Sequence, residues 1–147
     1  MNKFLVVVGV QPEKIKLVRG GDKLVKWIQT HQQNFDGTIA VVRKDQNNRN
    51  FEKAGDTIMN KLISNLDYSA DTIIEVGGYD LDCKQFRRDA EYTVMGISSG
   101  ASVLTTAMSM YSAGLNIKIV ESLCLDRKGL QKEAFKIMKA YMPGCII

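Results

Sequence analysis

Few side chains in this sequence can do covalent or metal chemistry. There are three cysteines, Cys83, Cys124 and Cys145, and one histidine, His31. A Cys/His metal centre needs ligands in close pairs such as C-x-x-C, and none occurs, so no metal is expected. An odd number of widely spaced cysteines predicts free thiols in a reducing, cytoplasmic compartment. Cys124 is expected to be buried and inert, and Cys83 to be structural, although Arg87 and Arg88 nearby would lower its pKa if it were exposed. His31 is expected at the surface, at a polar helix end. The small-residue turn Ser98-Ser99-Gly100-Ala101-Ser102 offers hydroxyls, but serine attacks a substrate only with a base beside it. Ser102 is therefore read as the N-cap of the following helix. Gly77-Gly78 suits a tight turn and leaves room for a ligand. No G-x-G-x-x-G or G-x-x-x-x-G-K pattern is present, and no cofactor is expected.

These residues sit between elements that alternate in type. Phe4–Val8, Thr38–Val42, Thr72–Val76, Tyr92–Ile97 and Asn116–Val120 are short apolar runs rich in β-branched residues. They read as strands buried on both faces, as in a parallel sheet. Helices are predicted from Asp22 to about Asn34, from Asp56 to Leu66, from Ser102 to Ser112 and from Gly129 to Tyr141. Asp82–Ala90 is expected to hold two helical turns. Lys44–Lys53 reads as an exposed loop, and Cys145–Ile147 as a short last strand at the sheet edge. The reading is one α/β domain over residues 1–147, a three-layer αβα sandwich with a mostly parallel, Rossmann-like sheet of five to six strands.

Ligands in such sheets lie beyond the carboxyl ends of the strands. Those ends gather Gln11, Asp45, Gly77, Tyr79, Ser98, Ser99, Gly100, Ser102 and Cys124, which are the candidate lining of a ligand crevice. Composition narrows the partners. Twenty basic and sixteen acidic residues give a net charge of +4, and the basic residues are scattered as on solvated helix faces. Nucleic acid would call for a concentrated basic stripe with stacking aromatics, so it is not expected as a partner. The longest apolar run, Phe4–Val8, is far below the roughly 18 residues of a membrane span, and no signal peptide is expected.

The segment Tyr92–Cys124 resembles the isochorismatase and nicotinamidase superfamily of cysteine hydrolases. Ser102-Val103-Leu104-Thr105-Thr106-Ala107, with Gly114 closing the helix, is similar to that family's C-V-x-x-T-A…G helix. Val6-Val7-Val8-Gly9-Val10-Gln11 resembles its first strand ending in D-x-Q. Val76-Gly77-Gly78-Tyr79-Asp80 resembles its K-x-x-Y segment. The resemblance implies a catalytic carboxylate, lysine and cysteine at Gly9, Val76 and Ser102. It also implies a fold that commonly forms homo-oligomers.

All three positions have lost that chemistry. Gly9 has no carboxylate, Val76 no ammonium and Ser102 no thiol. The implied reading is a pseudo-hydrolase with vestigial positions Gly9, Val76 and Ser102. It would act by binding a small molecule, by self-association or by binding a protein partner. The alternative is an active amidase or related hydrolase with Ser102 or Cys124 as nucleophile.

Overall fold

The computed structural model describes residues 1–43, 49–53 and 66–147. The first strand, β1 (Asn2–Val8), is the centre of the fold, and Leu5, Val6, Val7 and Val8 are buried. A run of β-branched residues sealed from water on both sides requires a strand on each edge and a layer on each face. β1 pairs in parallel with β2 (Gly37–Arg43) and with β4 (Ala90–Ile97). β3 (Thr72–Val76) lies outside β2, and β5 (Asn116–Leu125) lies outside β4. The order β3-β2-β1-β4-β5 therefore reverses direction between β1 and β4. That reversal is where a crevice opens in doubly wound sheets.

Helices cover both faces. α2 (Gly21–His31) buries Leu24, Val25 and Ile28, and Gln32 just beyond it donates to Thr38 Oγ1 at 3.2 Å and to Ser69 O at 2.7 Å. α4 (Leu104–Ser112) buries Thr106, Ala107 and Met110 on the other face. α5 (Gln131–Tyr141) buries Ala134, Phe135 and Met138, as its amphipathic spacing predicts. The expected last strand is present as a short piece. Ile119 and Ile146 form a parallel bridge, with Ile119 N–H donating to Cys145 O at 2.7 Å and Ile147 N–H to Ile119 O at 2.9 Å.

Several local expectations are corrected. A short helix, α1 (Pro12–Ile15), stands in the expected loop after β1, opened by a proline whose fixed φ suits a first turn. Gly20, at φ 87°, precedes α2, and Asp22 sits in its first turn without capping it. The expected helical turns of Asp82–Ala90 are absent: residues 82–89 form turns, and Ala90 already opens β4. Lys84 N–H donates to Asp82 Oδ1 at 3.0 Å and Phe86 N–H to Cys83 O at 3.1 Å, local bonds that compete with a helix. Ser99–Val103 is a π-helical turn leading into α4, so Ser102 lies inside the helical run and is not its cap. β5 continues to Leu125 through a bulge: β4 advances from Val94 to Gly96 while β5 advances from Ile119 to Cys124. The polar stretch expected as a loop contains α3 (Arg49–Lys53). The predicted helix from Asp56 falls outside the described residues except at Leu66.

Candidate functional site: a filled crevice at the strand ends

The carboxyl ends of β1, β2 and β3 and the start of α4 enclose one crevice. Gly9, Val76 and Ser102, the three positions that the resemblance marks, all line it, together with Gly78, Tyr79 and Thr106. The three positions, far apart in sequence, therefore meet in space. What sequence reasoning missed is what fills the space between them.

Lys14 and Arg43 also line the crevice, and they are only 1% and 3% exposed. The expectation that basic residues lie on solvated faces fails at both. Gly9 follows β1 directly, at φ 62°, and its N–H donates to Val41 O at 2.8 Å. A Cβ placed on Gly9 would run into the Ile97 carbonyl oxygen and come within 2.9 Å of Lys14 Nζ. The lysine ammonium therefore occupies the direction in which a side chain at position 9 would point. The free space left among these groups is about 10 Å³, roughly the room for one water. Ligand sites usually need about 300 Å³ or more. Lys14 has a weak sequence signal: it follows Pro12 in a helical first turn next to a strand end.

Gln11 is fully buried and acts as a clamp. Its Nε2 donates to Arg43 O and its Oε1 accepts from Arg43 N–H, both at 3.0 Å. A candidate ligand contact is therefore engaged in tying the ends of β1 and β2 together.

The turn after β4 is also occupied by internal bonds. Ala101 and Val103 N–H groups donate to Ser98 O at 3.1 and 3.0 Å. Gly100 N–H donates to Asp126 Oδ1 at 2.8 Å. Asp126 Oδ2 accepts from Lys128 N–H at 3.0 Å and Leu130 N–H at 2.9 Å. Ser99 Oγ donates to Gln131 Oε1, and Ser98 Oγ accepts from Arg127 N–H at 3.5 Å. The Gly100, Ala101 and Val103 amides are thus committed to acceptors of the protein itself. Asp126 was not singled out in the sequence. Its signal is the Asp126-Arg127-Lys128-Gly129 pattern, Asp at the first and Gly at the fourth position of a turn.

The remaining candidates are dispersed. Tyr79 lines the crevice and also a neighbouring pocket of about 220 Å³ bounded by Ser98, Gly100, Asp126 and Arg127. Gly77 is exposed beside it. Asp45 lies outside the described residues. Cys124 is 2% exposed, and burial pushes its thiol up to about 12. At neutral pH almost no thiolate exists there, so its reactivity is that of a buried apolar side chain. Cys83 is half-buried, and burial followed by the neighbouring Asp82 charge raises its pKa. That is opposite to the shift expected from Arg87 and Arg88; the Arg87 guanidinium is held by Asp89 at 3.0 Å. His31 is half-buried with its ring stacked on Trp27 at 4.2 Å, a correction to the surface expectation. Cys83, Cys124 and Cys145 are all free thiols. Among the described residues, no group of three or more His, Cys, Asp or Glu side chains could hold a metal ion, and no helix is long and apolar enough to cross a membrane.

The arrangement defines a class: a parallel α/β sheet with a crevice at its β1/β4 switch point. Solved structures give that class its name. The nicotinamidase/pyrazinamidase of Bacillus subtilis superposes with a TM-score of 0.68 at 17% identity, covering 99% of both chains. The Staphylococcus aureus nicotinamidase gives 0.69 at 19% identity, over 99% of this chain and 97% of that one. The MAR1 ribonuclease of Caenorhabditis elegans gives 0.69 at 17% identity, over 99% of this chain and 76% of that one. No protein-family model matches the chain, and no curated protein matches it in sequence. The chain has the isochorismatase-like fold, and fold alone does not carry activity.

Proposed function

We propose that this protein is a non-catalytic member of the isochorismatase-like fold that acts by self-association or by docking on a protein partner in the cytoplasm. One observation carries the reading: Lys14 Nζ stands against Gly9, where the family resemblance places the catalytic carboxylate. The loss is built into the backbone, because φ 62° and the Ile97 carbonyl leave no room for a side chain there. A crevice with about 10 Å³ free also disfavours a small-molecule role at this place. Association is supported by exposed apolar side chains on the outer helices, among them Met108, Tyr111, Ile137 and Tyr141. The test is native mass spectrometry of the full chain alongside hydrolysis assays with nicotinamide and pyrazinamide. A discrete homo-oligomer or a co-purifying protein, with no turnover, is the expected result. Turnover that Ser102→Ala abolishes would overturn it.

A second reading has one observation in its favour: Ser102 and Lys14 line the same crevice. A lysine withdrawn from water is a known type of general base for a serine nucleophile. This reading requires hydrolysis that is lost equally in Ser102→Ala and Lys14→Met, and the same assay decides between the two.

A further inference from the structure

We propose that the fold carries a second site, at the opposite end of the sheet from the crevice, that takes a small uncharged aromatic molecule with one N–H or O–H donor. The site is a pocket of about 220 Å³ at the amino ends of β1, β2 and β4. Its existence follows from the topology. The connection from β3 to β4 contains no helix, so the sheet face bearing Phe4, Ile39, Ile74 and Tyr92 is roofed there by the turn residues Gln85, Phe86 and Arg87, with Phe86 the one apolar side chain among them.

The walls are chemically specific. The Phe4 and Tyr92 rings stack at 5.8 Å and 22°, and Phe86 meets Tyr92 edge-on at 5.3 Å and 89°. The Tyr92 hydroxyl donates to Arg87 O at 2.8 Å, which turns the polar end of that residue into the backbone and leaves its ring as wall. One more flat ring extends this cluster in the stacked or edge-on geometry that aromatic pairs favour. The floor is Gly37, where a Cβ would sit 3.1 Å from two Phe4 ring carbons. The volume is ring-sized: a dry cavity of about 150 Å³ holds benzene, and drug-sized ligands need about 300 Å³ or more. At the rim, Asp71 Oδ2 accepts the Thr38 N–H at 2.7 Å. A carboxylate has roughly four acceptor positions, so it serves a ligand donor as well. The nearby Arg87 charge is balanced by Asp89, which leaves no net cation to call for an anionic ligand.

This site shares no residue with the crevice, and it stands or falls independently of the proposed function. The test is a titration of the full-length protein with indole and with phenol, followed by amide chemical shifts and saturation-transfer NMR. Binding in the sub-millimolar range is expected, with shifts at Gly37, Thr38 and Phe86 and none at Ser102. Thr72→Trp places a ring over the pocket from an exposed rim position and should weaken binding at least tenfold. Gly37→Ala narrows the floor and serves as a second blocking variant if Thr72→Trp does not fold. Absence of binding by both probes up to their solubility limits would overturn the proposal. So would shifts centred elsewhere, or binding unchanged in a folded blocking variant.

Discussion

Lys14 Nζ lies 2.9 Å from the point that a Cβ on Gly9 would occupy, and the Ile97 carbonyl closes the same space from β4. The two residues form a plug, one supplying the ammonium and the other the missing side chain that makes room for it. Gly96 tightens the same junction: at φ 147°, a Cβ there would collide with the Val8 backbone. β1 and β4 thus pack backbone against backbone at their carboxyl ends, with no room for a Cβ at Gly9 or at Gly96.

Gly9→Asp is therefore not a repair. It puts a side chain into the left-handed region and against a carbonyl oxygen. It should cost about 2–4 kcal/mol, the combined scale of backbone strain and overpacking. Urea unfolding measures this directly. The variant is expected to show no amidase activity, and a Gly9→Asp protein as stable as the parent would show that the junction relaxes.

Removing the Gln11 clamp should be comparably damaging. Gln11→Ala strips Arg43 N–H and C=O of their partner in a fully buried place. Each buried group left unsatisfied costs about 1–3 kcal/mol. A drop of about 2–4 kcal/mol in unfolding free energy is expected, again from urea titration. A change below 0.5 kcal/mol, roughly that of an ordinary surface substitution, would show that water replaces the clamp.

Much of the fold was legible because its signals are local and strong. Runs such as Phe4–Val8 can only be buried strands, and the alternation of strands and helices fixes a parallel sheet. The helix from Asp22 and the helix ending at Tyr141 followed from their apolar spacing. The crevice positions Gly9, Val76 and Ser102 were found through the family resemblance, and they do converge. What escaped is what long-range packing decides. Lys14 and Arg43 read as surface charges because nothing near them in sequence says that they are sealed between strand ends. Asp126 drew no notice because its three N–H partners lie on two separate segments. The Asp82–Ala90 turns were mistaken for helix because side-chain competition for backbone groups outweighs a mild helical propensity there.

Cys124 sets an alkaline limit on stability. Its folded pKa is raised to about 12 from a reference of 9.0. Above the reference value the unfolded chain loses this proton first, so stability falls as pH rises from about 9 towards 12, and it is intact below 9. Burial raises the Tyr68 hydroxyl as well, which steepens the loss. Unfolding midpoints at pH 8 and pH 11 should differ strongly in the parent and less in Cys124→Ala. Equal slopes in the two proteins would remove Cys124 from the account. The same burial predicts that thiol reagents at pH 7.5 label Cys83 and Cys145 before Cys124.

Asp126 supplies the last prediction, because one carboxylate holds two loops together. It accepts Gly100 N–H from the turn after β4, and Lys128 and Leu130 N–H from the loop into α5. Charge-assisted bonds of this kind are roughly twice as strong as neutral ones, and α5 begins directly after Leu130. Asp126→Ala leaves three amides without their acceptor and should lower stability by about 2–3 kcal/mol. Asp126→Asn keeps the shape and one acceptor oxygen, so it should recover part of that loss. Hydrogen exchange locates the effect: the Gly100, Lys128 and Leu130 amides should exchange much faster in Asp126→Ala, while those of β1 stay protected. Faster exchange throughout β1 as well would mean that the carboxylate supports the whole sheet and not the turn alone.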